Sequence, residues 1–274
     1  MKSIKKAVIS TAAVLGLSAG AITAQANPIT DWDFTVTGEW ITVGPDAPVY
    51  SAGGGTQFNS ADLLSWGADL IDPAPTDGGG DRFQARSGLE VTDTSVMGSI
   101  ATGAGPVDTV EVTHFNNTIA GVFASLESAT FLTTLTLTPT APAPGAPIGP
   151  VSQSIPIEFV ETFNEEPCGF AVDSVCDDIF VFAPESLTFS FELDGFIYTT
   201  MIGAPGLGPL GDACDVAGAP ADCIGITTPE GEETPVLFNF KIDVRPASVP
   251  APGSLALLSL GVLGLAARRR AKRS

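Results

Sequence analysis

His114 is the one histidine of this 274-residue chain, and it stands in Val112-Thr113-His114-Phe115-Asn116. In an extended strand, side chains two apart share a face, so Val110, Val112, His114 and Asn116 line up together. Imidazole and amide on one face could act as a ligand pair or an acid–base pair. They could equally form a half-buried anchor that holds a neighbouring backbone group or carboxylate by hydrogen bond. Two valines on the same face favour the anchor. Sequence-adjacent acids occur at Glu165-Glu166, Asp177-Asp178 and Glu232-Glu233. Glycoside hydrolysis would need two carboxyls facing each other, whereas neighbours in a strand point to opposite faces, so these pairs read as solvated loop acids. No Ser–His–Asp or Cys–His pattern stands out, and a single histidine cannot build a metal triad. The chain is therefore expected to be neither an enzyme nor a holder of a metal or cofactor. Trp32, Trp40 and Trp66 could offer flat faces on which sugar rings stack. Trp40 alternates with Gly38 and Thr42 rather than with Ile41 and Val43, which makes it the candidate for an outward, ligand-stacking ring.

The elements that must position these residues repeat with period two. Leu187, Phe189, Phe191 and Leu193 alternate with Ser186, Thr188, Ser190 and Glu192, the pattern of a strand with one wet face. Asp194-Gly195 follows and calls for a type I′ hairpin turn, after which Phe196, Tyr198 and Thr200 return. Val236, Phe238, Phe240, Ile242 and Val244 mark another strand. Further strands are expected at 34–43, 108–115, 130–138, 155–163 and 179–182. No segment of residues 27–247 carries a helical stripe. Many short strands between Gly- and Pro-rich turns predict an all-β fold, an antiparallel β-sandwich of the jelly-roll or immunoglobulin-like kind. Pro139–Pro150 reads as a stiff loop between two strands of one core rather than as a linker. The Gly-Gly-Gly runs at 53–55 and 78–80 lack a following Gly-Lys-Ser/Thr and are turns, not phosphate cradles.

The two ends give an address. Lys2, Lys5 and Lys6 precede an apolar run from Ala7 to Ile22 and an Ala24-Gln25-Ala26 cleavage site. That is the layout of a secretory signal peptide over residues 1–26, with the mature start near Asn27. At the other end, Val249-Pro250-Ala251-Pro252-Gly253 precedes an apolar run, Leu255 to Ala267, and then Arg268, Arg269, Arg270, Lys272 and Arg273. Thirteen residues make about 20 Å of helix, short of the roughly 30 Å hydrocarbon core. The basic flank would stay cytoplasmic. Residues 248–274 resemble the PEP-CTERM sorting signal, with Val249, Pro250, Pro252, Gly253 and Arg268–Arg270 as the matching positions. Ala251 stands where that signal usually carries Glu. The resemblance implies an exosortase-type sorting enzyme as partner, a transient hold in the inner membrane of a Gram-negative bacterium, and release or attachment at the cell surface.

Between these ends lie residues 27–247, which hold four basic residues (Arg82, Arg86, Lys241, Arg245) and all 31 acidic ones, a formal charge of −27. Such a field repels phosphate backbones and argues against nucleic-acid partners. It reads as a solvated acidic surface suited to a saline exterior; it could also favour divalent cations such as calcium, although no segment has a calcium-loop spacing. Export makes disulfides the default state of the four cysteines, and the local pairs Cys168–Cys176 and Cys214–Cys223 are the expected ones. A zinc site fits poorly, because neither pair has the tight spacing and no histidine accompanies them.

Thr113-His114-x-Asn116 also resembles the signature of the THxN family of PEP-CTERM proteins. Similar to the same family are Ser65-Trp66-Gly67, Ser87-Gly88-Leu89, Glu161-Thr162-x-Asn164, Cys168 and Cys176-Asp177-Asp178-Ile179-Phe180. The family implies an exported β-rich surface domain without an assigned activity. The function expected is structural or adhesive, in biofilm material associated with exopolysaccharide, with matrix glycan or other surface proteins as partners. A carbohydrate-binding module is the second reading, and a secreted glycoside hydrolase the third.

Overall fold

The computed structural model describes residues 27–69, 86–162, 167–172 and 176–247. The signal peptide, the sorting segment, Arg82 and Asn164–Glu166 lie outside the described residues.

Two antiparallel sheets pack face to face. The strands in chain order are β1 (Asp31–Trp40), β2 (Val49–Tyr50), β3 (Phe58–Asn59), β4 (Leu63–Gly67), β5 (Arg86–Val91), β6 (Ser95–Ala101), β7 (Val107–Phe115) and β8 (Leu126–Ala141). They continue with β9 (Ile148–Val160), β10 (Asp178–Phe182), β11 (Thr188–Leu193), β12 (Phe196–Gly203), β13 (Gly208–Pro209), β14 (Ile224–Thr228) and β15 (Glu233–Pro246). The first sheet runs β13-β14-β10-β9-β8-β1-β6, with β2 added to β8, and the second runs β11-β12-β15-β7-β5-β4-β3. The antiparallel sandwich expected from the period-two pattern is the fold observed.

The long amphipathic strands sit close to their expected places. Asp194 (φ 51°) and Gly195 (φ 79°) both take positive φ, as a type I′ turn requires, and close the β11–β12 hairpin in register Leu193↔Phe196. Pro139–Pro150 is the tip of the β8–β9 hairpin, whose strands pair directly from Ser128↔Glu158 to Leu137↔Ile148. One core fills the space between the sheets, with Trp32, Phe34, Val36 and Trp40 of β1 facing Val110, Val112, Tyr198, Phe238, Phe240 and Ile242.

Trp40 corrects an expectation. It is only 3% exposed, on the inner face of β1 with Trp32, Phe34 and Val36, so it offers no outward stacking ring. The strand starts at Asp31 and stops at Trp40, and the large apolar side chains at 32, 34 and 36 decide which face is buried. Gly38 falls on that inner face because a Cβ there would lie 2.4 Å from Phe131 Cζ. The missing side chain lets Phe131 sit edge-on to Trp40, with ring centroids 5.2 Å apart. Trp32 and Trp66 are fully buried as well.

Both expected disulfides are present, with Cα atoms 5.1 Å apart for Cys168–Cys176 and 5.8 Å for Cys214–Cys223. The second staples the loop that carries a short helix (Ala213–Val216) over the outer side of β10. There Ile179 and Val181 pack on Ala213, Cys214 and Cys223, while Phe180 and Phe182 point into the main core. Every residue of β10 is therefore buried. Replacing Cys214 and Cys223 together by alanine should cost about 2.5 kcal/mol, the closure entropy of a ten-residue loop. Urea denaturation of variant and parent reads the difference, and superimposable curves would mean that the staple does not constrain the unfolded chain.

Candidate functional site

The motif residues converge at one end of the sandwich, where β7, β10 and β14 approach across the two sheets. His114 shares the inner face of β7 with Val110 and Val112, and is 1% exposed. Its Nδ1 and the Thr228 Oγ1 at the end of β14 share a hydrogen bond of 2.9 Å. The ring lies nearly parallel to Trp66 at 6.1 Å, and edge-on to Phe159 and Phe180 at 5.6 and 5.0 Å. Nε2 has no partner among the described residues. Burial in this aromatic cage pushes the imidazole pKa down to about 3, so the ring is neutral at physiological pH. A charged ring would leave a second N–H without an acceptor inside the cage.

Asn116 follows β7 and holds the turn that links β14 to β15. Its Nδ2 donates to Thr228 O at 3.1 Å, its backbone N donates to Glu232 O at 3.0 Å, and its carbonyl accepts from Gly231 N at 3.0 Å. Three bonds from one residue fix the 228–232 segment and with it Glu230. Asn116 Oδ1 is buried and has no partner among the described residues. Thr113 is buried too, but on the opposite face of β7, in register with Pro235 and Glu90.

Three acids meet beside this turn. Glu161 follows β9, Asp178 opens β10, and Glu230 lies in the β14–β15 turn; one carboxylate oxygen of each lies within 4.8 Å of the others. Trp66 Nε1 donates to Glu161 Oε2 at 3.1 Å. Thr162 N donates to Asp178 Oδ1 at 2.9 Å, and Thr162 Oγ1 donates to Cys176 O at 2.5 Å. The Cys168–Cys176 disulfide thus braces the chain immediately before Asp178. Burial, opposed by the Trp66 hydrogen bond and reinforced by Glu230, pushes the Glu161 carboxyl up to about 8. Burial, then the charge of Glu161, drives Asp178 well above the usual carboxylate range.

This arrangement departs from the sequence reading in two ways. Asp177 and Asp178 are 1% and 0% exposed, so they are not solvated loop acids. The opening of β10 places them in the interior because both faces of that strand are covered. Glu230 carried no signal in the sequence, since its partners come from distant elements.

Arg86 is a second buried polar centre. Its guanidinium donates to Thr56 O at 2.8 Å, to Ser65 Oγ at 3.0 Å and to Ala68 O. Asn117 joins β7 to the same strand, donating from Nδ2 to Arg86 O at 3.0 Å. The segments 65–67, 86–89, 113–117, 161–162 and 176–180 thus form one contiguous polar seam under the aromatic cage.

Residues 248–270 match the family model of the PEP-CTERM protein-sorting motif. The chain carries a PEP-CTERM sorting signal. It is therefore an exported surface protein sorted by an exosortase and held transiently at the membrane during export. The match covers the sorting signal alone and leaves the Thr113–Asn116 resemblance as a resemblance. No curated protein matches the chain. Among the described residues no helix is long and apolar enough to cross a membrane, and the apolar run of the PEP-CTERM segment lies outside them.

Proposed function

We propose that this PEP-CTERM protein is a structural or adhesive component of exopolysaccharide-associated surface material, acting by contact and not by catalysis. The observation that carries this reading is the outer face of the first sheet. There Asp33, Thr35 and Thr37 of β1 pair with Thr138, Thr136 and Thr134 of β8, and Thr134 pairs in turn with Ser152 of β9. Thr134 Oγ1 and Ser152 Oγ share an exposed hydrogen bond of 2.8 Å. A broad lattice of hydroxyls and carboxylates can exchange hydrogen bonds with a hydrated glycan without any deep pocket.

Other features weigh against the alternatives. All three tryptophans are buried, which removes the stacking platform a carbohydrate-binding module would use. Asp178 is fully buried, so no sugar ring can seat between it and Glu161 as glycoside hydrolysis requires. Incubating the exported protein with the producing cell's exopolysaccharide and sedimenting the polymer tests the proposal. The expected result is co-sedimentation that weakens in a T134A/T136A/S152A variant that stays folded with only a modestly lower melting temperature, since surface substitutions shift stability by about 0.5 kcal/mol each. Equal retention of the variant, or none of the parent, would refute the assignment of this face. Selective capture of one short glycan on an array would instead favour the binding module.

A further inference from the structure

We propose that Glu161, Asp178 and Glu230 form a divalent-cation site of calcium type, and that Asn116, Thr162 and Trp66 are its positioning residues. This inference does not depend on the matrix role. Its basis is geometric: three carboxylates from three separate elements lie within 4.8 Å of one another, one of them fully buried. Acids that cluster only by surface crowding keep water as their partner. Here Asp178 is 0% exposed, and its Oδ2 accepts no hydrogen bond from any described residue. Glu161 Oε1 and Asn116 Oδ1 are likewise buried acceptors without a donor among the described residues. A fully buried, unpartnered acceptor is costly unless something outside the chain satisfies it.

That something is a cation rather than a donor. The three unpartnered atoms of Glu161, Asp178 and Asn116 are all oxygens. Of the described cations, Arg86 is engaged with Thr56, Ser65 and Ala68, Lys241 with Asp243 at 3.4 Å, and Arg245 is exposed opposite Ile197. An all-oxygen, carboxylate-rich set suits a hard ion and disfavours zinc or copper, which seek nitrogen and sulfur. Calcium accepts irregular coordination at 2.3–2.6 Å, which carboxylates arriving from three elements can supply, whereas magnesium demands near-octahedral order. The remaining oxygens are already oriented. Trp66 holds Glu161 Oε2, Thr162 holds Asp178 Oδ1, and Asn116 pins the turn that presents Glu230. The seam that the THxN-like segments build is, on this view, the frame of one ion site.

Isothermal titration of the chelator-treated, dialysed protein with calcium chloride tests the proposal, alongside melting in calcium and in EDTA. One calcium per chain is expected, with Kd roughly 10⁻⁴–10⁻³ M as in extracellular modules, and with weaker binding of magnesium. Calcium should raise the melting temperature of the parent. Asp178→Asn and Glu161→Gln should each weaken binding at least tenfold, and Glu161→Gln should melt in EDTA close to the parent, since the amide oxygen can still accept from Trp66 Nε1. No heat and no melting shift in the parent would overturn the proposal, leaving the three acids as a proton-sharing cluster. Calcium binding that persists undiminished in Glu161→Gln would place the ion elsewhere and overturn it equally.

Discussion

Acidifying the protein from pH 7 to pH 3 should remove about 4 kcal/mol of folding stability through His114 alone. In the folded chain the imidazole pKa lies at about 3, against 6.5 for the unfolded group, because the aromatic cage excludes water from the charged form. The unfolded chain therefore takes up the proton first as pH falls. The contribution is complete above pH 6.5 and is lost progressively below it, about 2 kcal/mol by pH 5. Other groups titrate in the same interval, so the measurement is a difference: urea midpoints of parent and His114→Gln from pH 7 to pH 3. The variant, which keeps a side-chain amide opposite Thr228, should start less stable and lose less. Parallel curves would mean that His114 meets solvent in the folded state, and would reopen its reading as a ligand or an acid–base group.

Replacing Arg86 by methionine should be as severe. The substitution keeps the stem that packs beside β4 and removes the fork. Thr56 O, Ala68 O and Ser65 Oγ then lose their common donor inside the protein. Ser65 is fully buried and the two carbonyls lie in half-buried residues. Acceptors left unpaired inside a protein cost about 1–3 kcal/mol each, so a loss of about 3 kcal/mol follows. Arg86→Lys should recover little of it, because a single ammonium cannot span acceptors set around a planar guanidinium. The residue ties the ends of two loops, at Thr56 and Ala68, to the start of β5. Denaturation midpoints within about 0.5 kcal/mol of the parent for either variant would contradict this role.

Most strands legible in the sequence have one wet face; β10 is the exception, read at 179–182 from its short apolar run Ile179–Phe182 although both its faces are buried. β11, β12 and β15 alternate cleanly, and the Asp194-Gly195 turn sets their register. β4 and β10 are buried at every position, so neither has an alternation to detect. β4, with Ser65 among its five residues, also lacks the continuous apolar run that would mark a buried strand. Trp40 shows a subtler failure. Its partners in alternation, Gly38 and Thr42, look polar or neutral, while the apolar anchors that decide the face lie further back at Trp32, Phe34 and Val36. His114 and Asn116 were found as a pair because they are local. The carboxylate cluster was not, because Glu161, Asp178 and Glu230 are distant in sequence and meet only through β9, β10 and the β14–β15 turn. Arg86 reads in the sequence as one scarce cation on an acidic surface, and only the fold turns it inward.

Intact-mass analysis of the protein recovered from outside the producing cell, with thiol labelling before denaturation and after, tests whether the chain is an exported, disulfide-stapled sandwich. An exported, exosortase-sorted sandwich should begin at Asn27, lack the apolar run from Leu255 to Ala267 together with Arg268–Arg270, and take up no label at Cys168, Cys176, Cys214 or Cys223. A chain found only inside the cell, starting at Met1, retaining the arginine tail and labelled at all four cysteines, would contradict both the address and the stapled fold.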